Sequence, residues 1–204
     1  MKLDIADVHQ KNLHHLLMGA VAPRPIAWVS TVGEDDIYNL APYSAYCVVS
    51  ARPAMVGFCV AGMMDGQKKD TLRNIESNGE FVINIVNEAL AEPMNVTSAP
   101  YPGDVDEFEE AGLTAVPADL VKVPMVAESP VNLECRLNQI LEFGEAPRVS
   151  SFIIGEILRI HISDSVYANE EIQMSELKAI GRLGGRGGDM YCRTTDSFVM
   201  KRPT

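Results

Sequence analysis

Lys68-Lys69-Asp70-Thr71 sets two lysines directly before a residue pair that opens a helical pattern. Free N–H groups at a helix N-terminus point outward, and the helix dipole favours an anion there. With a threonine hydroxyl in the first turn, this arrangement suits a phosphate. It equally describes a capped surface helix with two solvated lysines, and spacing alone leaves both readings open. Ser30-Thr31 closes a β-branched run just before Gly33. Hydroxyls at a strand end can bond a phosphate or a polyol chain, and they also bond turn backbones. In Asn39-Leu40-Ala41-Pro42-Tyr43-Ser44, Pro42 frees part of a strand from ladder pairing. Such an edge offers N–H and C=O groups to the rim of a flat heterocycle, or is an edge strand with a bulge. The run from Gly181 to Gly188 holds Gly184 and Gly185. It allows close backbone approach and an anion nest, or forms a flexible surface loop.

Other chemistries lack their motifs. There is no G-x-G-x-x-G between a strand and a helix, no G-x-x-x-x-G-K-[ST], no G-x-S-x-G and no H-E-x-x-H. His9, His14 and His15 sit on one N-terminal helical segment, and His161 alternates with Ile160 and Ile162. None has metal-ligand spacing, so no metal is expected. The cysteines, Cys47, Cys59, Cys135 and Cys192, include no CxxC pair. The first three lie in apolar, strand-like runs and read as inert buried thiols.

Those residues need elements to position them. Val8 to Met18 has apolar residues on a helical period that Gly19 stops. Ile26 to Val32 and Ile37 to Val49 read as strands around an acidic turn, with Pro42 marking an edge, a bulge or a break. Ala54 to Ala61 is a further strand. Lys69 to Asn78 reads as a helix with Asp70 or Thr71 as N-cap and Gly79 as left-handed C-cap. Phe81 to Val86 is a strand. Glu88 to Ser98 is helical with Pro93 kinking it or starting a second turn. The charge run Asp104 to Glu110 reads as a solvated face. Val131 to Phe143 and Ser151 to Ile162 are long strands joined by a short turn, and two short strand-like pieces follow the glycine-rich loop. Strands outnumber helices and most joins are short. That predicts a mainly β, antiparallel barrel with a few added helices, in one domain over residues 1–204.

Composition narrows the function. The chain has 204 residues, 47% hydrophobic and 22% charged, enough for one sizeable core. Its net charge of -11 argues against nucleic acid and against anionic lipid as main partners. One phosphate needs only a few local donors, so a phosphorylated cofactor remains compatible. Met1 to Gln10 has no basic n-region and no apolar core of a signal peptide, and no run approaches the roughly 20 apolar residues of a membrane helix. The expectation is a cytoplasmic protein.

Taken in order, the segments resemble a known family. Arg24 to Thr31 (RPIAWVST), Asn39 to Ser44 (NLAPYS), Lys69 to Asn74 (KDTLRN), Glu80 to Asn84, Met94 to Ser98, Val105 to Phe108, Glu128 to Pro130 and Gly181 to Gly185 are together similar to the flavin reductase-like, FMN-binding split-barrel family. The likeness covers roughly residues 20–200. It implies an FMN-binding split β-barrel, Greek-key-like, and a homodimer with FMN near the interface. It implies Ser30, Thr31, Lys69, Asp70 and Thr71 at the ribityl-phosphate end. Asn39, Leu40, Ala41, Pro42, Tyr43 and Ser44 would line the isoalloxazine, largely through backbone groups. Gly184, Gly185 and Tyr191 are implied for the ring or nicotinamide side. The implied activity is NAD(P)H:flavin oxidoreduction, with a hydride passed to the flavin N5. The flavin carries the chemistry, so no catalytic acid or base is expected. A flavoredoxin-type electron carrier serving a redox protein partner uses the same segments. A split barrel that binds no flavin is the third reading.

Overall fold

The computed structural model describes residues 1–184 and 188–203. Helix α1 (Gln10–Ala20) precedes strands β1 (Ala27–Val32), β2 (Tyr38–Tyr43), β3 (Tyr46–Ala51) and β4 (Ala54–Val60). Then come α2 (Asp70–Asn78), β5 (Glu80–Ile85), α3 (Ala91–Val96), α4 (Glu107–Glu110) and the short strands β6 (Ala115–Val116) and β7 (Met125–Val126). Strands β8 (Val131–Phe143) and β9 (Ser150–Ile162) form a long hairpin. The short elements β10 (Tyr167–Ala168), β11 (Glu171–Ile172), α5 (Met174–Leu177), β12 (Ile180–Arg182) and β13 (Tyr191–Arg193) complete the chain.

Seven strands form one sheet in the order β2-β1-β5-β8-β9-β4-β3. Every neighbouring pair in it is antiparallel. The two outermost strands, β2 and β3, are consecutive in the chain, with only Ser44 and Ala45 between them. That link is too short to cross an open sheet, so the sheet must curl until its two edges meet at this corner. The Ala45 carbonyl accepts the Cys59 N–H of β4 at 2.9 Å. Among the described residues no ladder joins β2 to β3. The result is a barrel split along one seam, and β2 borders the seam with an unpaired edge.

The core explains the strand pattern. Phe58, Phe81, Ile83, Val29 and Ile153 fill the interior, each 0% exposed. Burying one such phenylalanine stabilises by about 1.5–3 kcal/mol. A second cluster on the other face of β1 joins Trp28 and Leu40 to Met94 of α3 and Phe108 of α4. All six residues of β1 are therefore buried, which is why that strand reads as a continuous run rather than an alternation. Trp28 Nε1 donates to Thr97 Oγ1 at 2.9 Å, satisfying the indole N–H inside the cluster.

Several elements depart from their sequence reading. The expected strand from Ile37 to Val49 is two strands, and the break falls at Ser44-Ala45 rather than at Pro42. Pro42 stays within β2 because β2 is an edge, where a missing N–H costs no ladder bond. Helix α1 continues through Gly19 to Ala20 and buries none of its residues. The N-cap of α2 is Lys69, not Asp70 or Thr71, whereas Gly79 caps the other end at φ 72 as expected. Pro93 falls in the first turn of α3, after a 3-10 turn, where its missing N–H is not needed. Cys135 is buried, Cys59 is half-buried and Cys47 is exposed on β3, so the shared burial expected for these thiols does not hold. Among the described residues no helix is long and apolar enough to cross a membrane.

Candidate functional site

A cleft runs along the free edge of β2. Its α2 end is a cavity of about 380 Å³ between the start of α2 and the 97–103 segment. Its other end is a cavity of about 460 Å³ bounded by α1, Arg24 and the segment around Leu183. The two share Pro42 and Ser98 in their walls, so they adjoin.

The α2 end is built on one hydroxyl. Thr71 lies in the first turn of α2 and is 1% exposed. Its Oγ1 accepts from Asn39 Nδ2 at 3.0 Å and from the Tyr43 hydroxyl at 2.9 Å. With both lone pairs taken, the Thr71 proton is left to donate. Asn39 also donates to Thr31 Oγ1 at 3.1 Å, and Asn74 donates to the same oxygen at 3.1 Å. Burial pushes the Tyr43 phenol well above its ordinary range, partly offset by the Thr71 hydrogen bond, with Glu107 and Asp70 adding to the rise. That ring therefore stays neutral.

Charge at this end is distributed unevenly. Lys68 pairs with Glu76 at 2.7 Å, and Asp70 pairs with Arg73. Among the described residues Lys69 makes no ion pair. Its Nζ stands 5.8 Å from the Tyr43 ring centroid. An unpaired cation, a free hydroxyl proton and the first-turn N–H groups of a nine-residue helix therefore meet at one wall. A Cβ at Gly103 would stand 2.9 Å from Asp70 Oδ1, so glycine lets the 97–103 segment close against α2. Glu107 faces the same cavity and is 7% exposed. Its Oε2 accepts the Leu40 N–H at 3.0 Å. Burial pushes this carboxyl up to about 7 against that hydrogen bond, helped by Asp70 and Asp106.

The other end depends on Arg24, which is 7% exposed. Its guanidinium donates to the carbonyls of Met18 at 2.5 Å, Val21 at 2.8 Å and Leu183 at 3.3 Å. Nε also donates to Ser44 Oγ at 3.4 Å. Burial lowers its pKa, with Arg182 adding to the effect. Arg182 donates to the Tyr191 hydroxyl and lies 4.5 Å from that ring's centroid. A Cβ at Gly184 would meet Gly19 and stand 2.7 Å from the Met18 carbonyl. Glycine at 184 thus lets this segment pass against the end of α1.

The structure gathers most of the expected residues. Asn39, Ala41, Pro42, Tyr43, Lys69, Asp70 and Thr71 line the α2 end, and Pro42, Ser44, Gly184 and Tyr191 line the other. Ser30 is not brought to the cleft. It is 0% exposed, and its hydroxyl donates to the Pro124 carbonyl at 2.6 Å and accepts from Asn84 at 3.2 Å. Thr31 reaches the cleft only through Asn39. Leu40 turns its side chain into the second core cluster and offers only its backbone. Gly185 lies outside the described residues. Arg24 and Glu107 were missed as site residues. Arg24 shows only as an extended residue between prolines, and Glu107 hides in an acidic run that otherwise reads as solvated.

One further polar cluster is structural. Asp119, Glu134 and His161 bring their ligand atoms within 4.8 Å of one another. Glu134 accepts the N–H groups of Leu120 at 2.6 Å, Val121 at 3.1 Å and Asp119 at 3.3 Å, and lies 2.6 Å from His161 Nε2. Arg159 pairs with Asp119 at 2.6 Å. Burial pushes the Glu134 carboxyl up, but His161 and the three N–H groups outweigh it and hold it below the ordinary range. These groups pin the 119–121 segment to the barrel.

A curled antiparallel sheet with an open seam defines a split barrel. The chain belongs to the flavin reductase-like family: residues 18–175 match the family described as "Flavin reductase like domain". An uncharacterised protein of Halalkalibacterium halodurans is 37% identical over 206 residues, covering 100% of this chain and 97% of that one. The crystal structure of nitrilotriacetate monooxygenase component B from Bacillus cereus is similar at TM-score 0.93 and 31% identity, covering 98% of each chain. The 2-nitrobenzoate 2-nitroreductase NbaA of Pseudomonas fluorescens is similar at TM-score 0.89 and 30% identity, covering 100% of this chain and 97% of that one. A Shewanella frigidimarina protein with a split barrel domain shares the fold at TM-score 0.82 and 22% identity, covering 100% of this chain and 99% of that one.

Proposed function

We propose that this chain binds FMN along the β2 edge and works as an NAD(P)H-dependent flavin reductase. The observation that carries the reading is a cleft of two adjoining cavities that share Pro42 and Ser98. It runs from a helix N-terminus with an unpaired lysine, past the free edge of β2, to Tyr191 and Gly184. The residues fit the group. Lys69, Thr71 and the first-turn N–H groups of α2 would hold the phosphate. Ala41, Pro42, Tyr43 and Ser44 would flank the ring, with Tyr191 and Gly184 bounding the space for a nicotinamide.

When bound, FMN supplies the redox chemistry, accepting two electrons from a reduced nicotinamide and passing them on. The chain's own part is placement. Thr71 is fixed by two hydrogen bonds and presents its remaining proton without reorganisation. Arg24 fixes the spacing of α1, Ser44 and Leu183, which sets the width of the ring end. The relatives named monooxygenase component B and nitroreductase support an oxidoreductase role.

A single-domain homodimer is part of the proposal. On β3, an edge strand, Val48 is 73% and Val49 44% exposed, and on α1 Leu16 and Leu17 are 47% and 49% exposed. Apolar surface on an open edge is what a second copy would cover. All four cysteines are free, as a reducing cytoplasm keeps them.

The deciding experiment is a visible spectrum of the purified protein, followed anaerobically on adding NADPH and then NADH. A flavin spectrum that bleaches within turnover time supports the reductase. A flavin spectrum that persists moves the assignment to an electron carrier. No flavin, and none taken up from added FMN, removes the cofactor from this chain.

A further inference from the structure

Glu107 stands where an anionic ligand would meet it. It opens α4, and its Oε2 is pinned to the Leu40 N–H, which points away from β1 into the seam. Its side chain lines the cavity that holds Lys69 and Thr71. It also lines an adjoining cavity of about 310 Å³ beneath the β1–β2 turn. A carboxylate there opposes an arriving anion, and a neutral carboxyl does not.

The surroundings favour the neutral form. The cavity that Glu107 lines also presents Lys68 and Lys69 just before α2, Asp70 and Arg73 from α2, and Tyr43 from β2. Asp106 adjoins it in its own segment, and Glu34 and Asp35 look across the second cavity. Of the cations, Arg73 is already paired with Asp70. Burial, Asp70 and Asp106 together bring the carboxyl up to about 7, within reach of a ligand's charge.

We propose that Glu107 takes up a proton when a flavin phosphate binds at the start of α2, so that this side chain makes flavin affinity depend on pH. The inference rests on the FMN reading above. A phosphate monoester is largely dianionic above its second pKa near 6. A second negative group in the same cavity raises a carboxyl's pKa further. The loaded protein therefore keeps the proton to higher pH than the empty one. Affinity is full below about 7, falls as pH rises through that value, and levels off once the loaded form also loses the proton. The slope is at most about tenfold per pH unit. With Oε2 taken by Leu40, the proton sits on Oε1.

The test is FMN and riboflavin affinity between about pH 7 and pH 9 in buffers free of phosphate, for the wild type and Glu107→Gln. The expected wild-type result is FMN binding that weakens about tenfold or more across that range while riboflavin changes less than about twofold. In Glu107→Gln the FMN curve should be flat, and at the alkaline end about tenfold tighter than in the wild type. Calorimetry near pH 8 in two buffers of different ionisation enthalpy reads the proton directly. It should show uptake with FMN and none with riboflavin, without needing any variant to fold. No uptake in the wild type, or an unchanged FMN slope in Glu107→Gln, overturns the proposal. Riboflavin binding as tightly as FMN at every pH overturns the phosphate placement itself, and the two failures are then told apart.

Discussion

At the α2 end of the cleft the buried polar side chains hold one another. Thr31, Asn39, Tyr43, Thr71 and Asn74 form one connected set of hydrogen bonds between two strands and a helix. At the Arg24 end α1 buries nothing, and a single guanidinium gathers two carbonyls from the end of α1 with that of Leu183. One end is a preorganised anchor supported by the barrel core. The other is a wall held by the Arg24 side chain and by the backbone pairing of Arg24 with Arg182. Preorganised donors cost little to use at the moment of binding.

The contrast can be broken by mutation, and Arg24→Ala should do so most strongly. Removing a buried cation that serves three carbonyls should destabilise the protein by about 2–4 kcal/mol in urea titration. An unchanged midpoint would mean that the backbone pairing of Arg24 with Arg182 holds this end without the side chain. Thr71→Ala removes the shared acceptor of Asn39 and Tyr43. It should lower stability by about 1–3 kcal/mol and weaken FMN binding by a similar amount. Lys69→Ala should weaken FMN binding by about 1–2 kcal/mol while leaving the urea midpoint almost unchanged, because that side chain has no ion-pair partner among the described residues. A matched loss of stability would show that Lys69 belongs to the scaffold.

Glu107 sharpens the comparison through pH. Its folded-state pKa is raised from 4.5 to about 7, so the folded protein holds this proton more tightly than the unfolded chain. Stability from this group is present at low pH and is lost as pH rises from about 4.5 to about 7. The stability difference between wild type and Glu107→Gln should therefore shift by about 3 kcal/mol over that interval, in favour of the variant at the alkaline side. Chemical denaturation of both at several pH values measures it, and a constant difference would deny that this carboxyl is perturbed. Ser44→Ala should have the smallest effect, within about 0.5 kcal/mol on stability, because its hydroxyl meets Arg24 only at 3.4 Å.

Local chemistry made much of this molecule legible beforehand. Gly79 as a left-handed cap, the edge placement of Pro42 and the long β8–β9 hairpin all follow from short stretches of chain. The misses share a cause. Ser30 and Thr31 looked like surface hydroxyls at a strand end, yet β1 is covered on both faces and their oxygens serve Pro124, Asn39, Asn74 and Asn84. Glu107 looked solvated among its acidic neighbours, yet one unpaired N–H of an edge strand draws it inward.

The sequence by itself determined the periodicity of the strands, the Gly79 cap and the residue types at each end of the cleft, because these depend on backbone sterics and near neighbours. Which of those residues share a cavity was decided only by the tertiary structure. The two-residue link between β2 and β3 curls the sheet and opens a seam, and the seam sets Thr71 beside Asn39 and Glu107 beside Leu40. Contacts between residues 32 and 67 positions apart arise from the closure of the whole sheet, which no local pattern encodes.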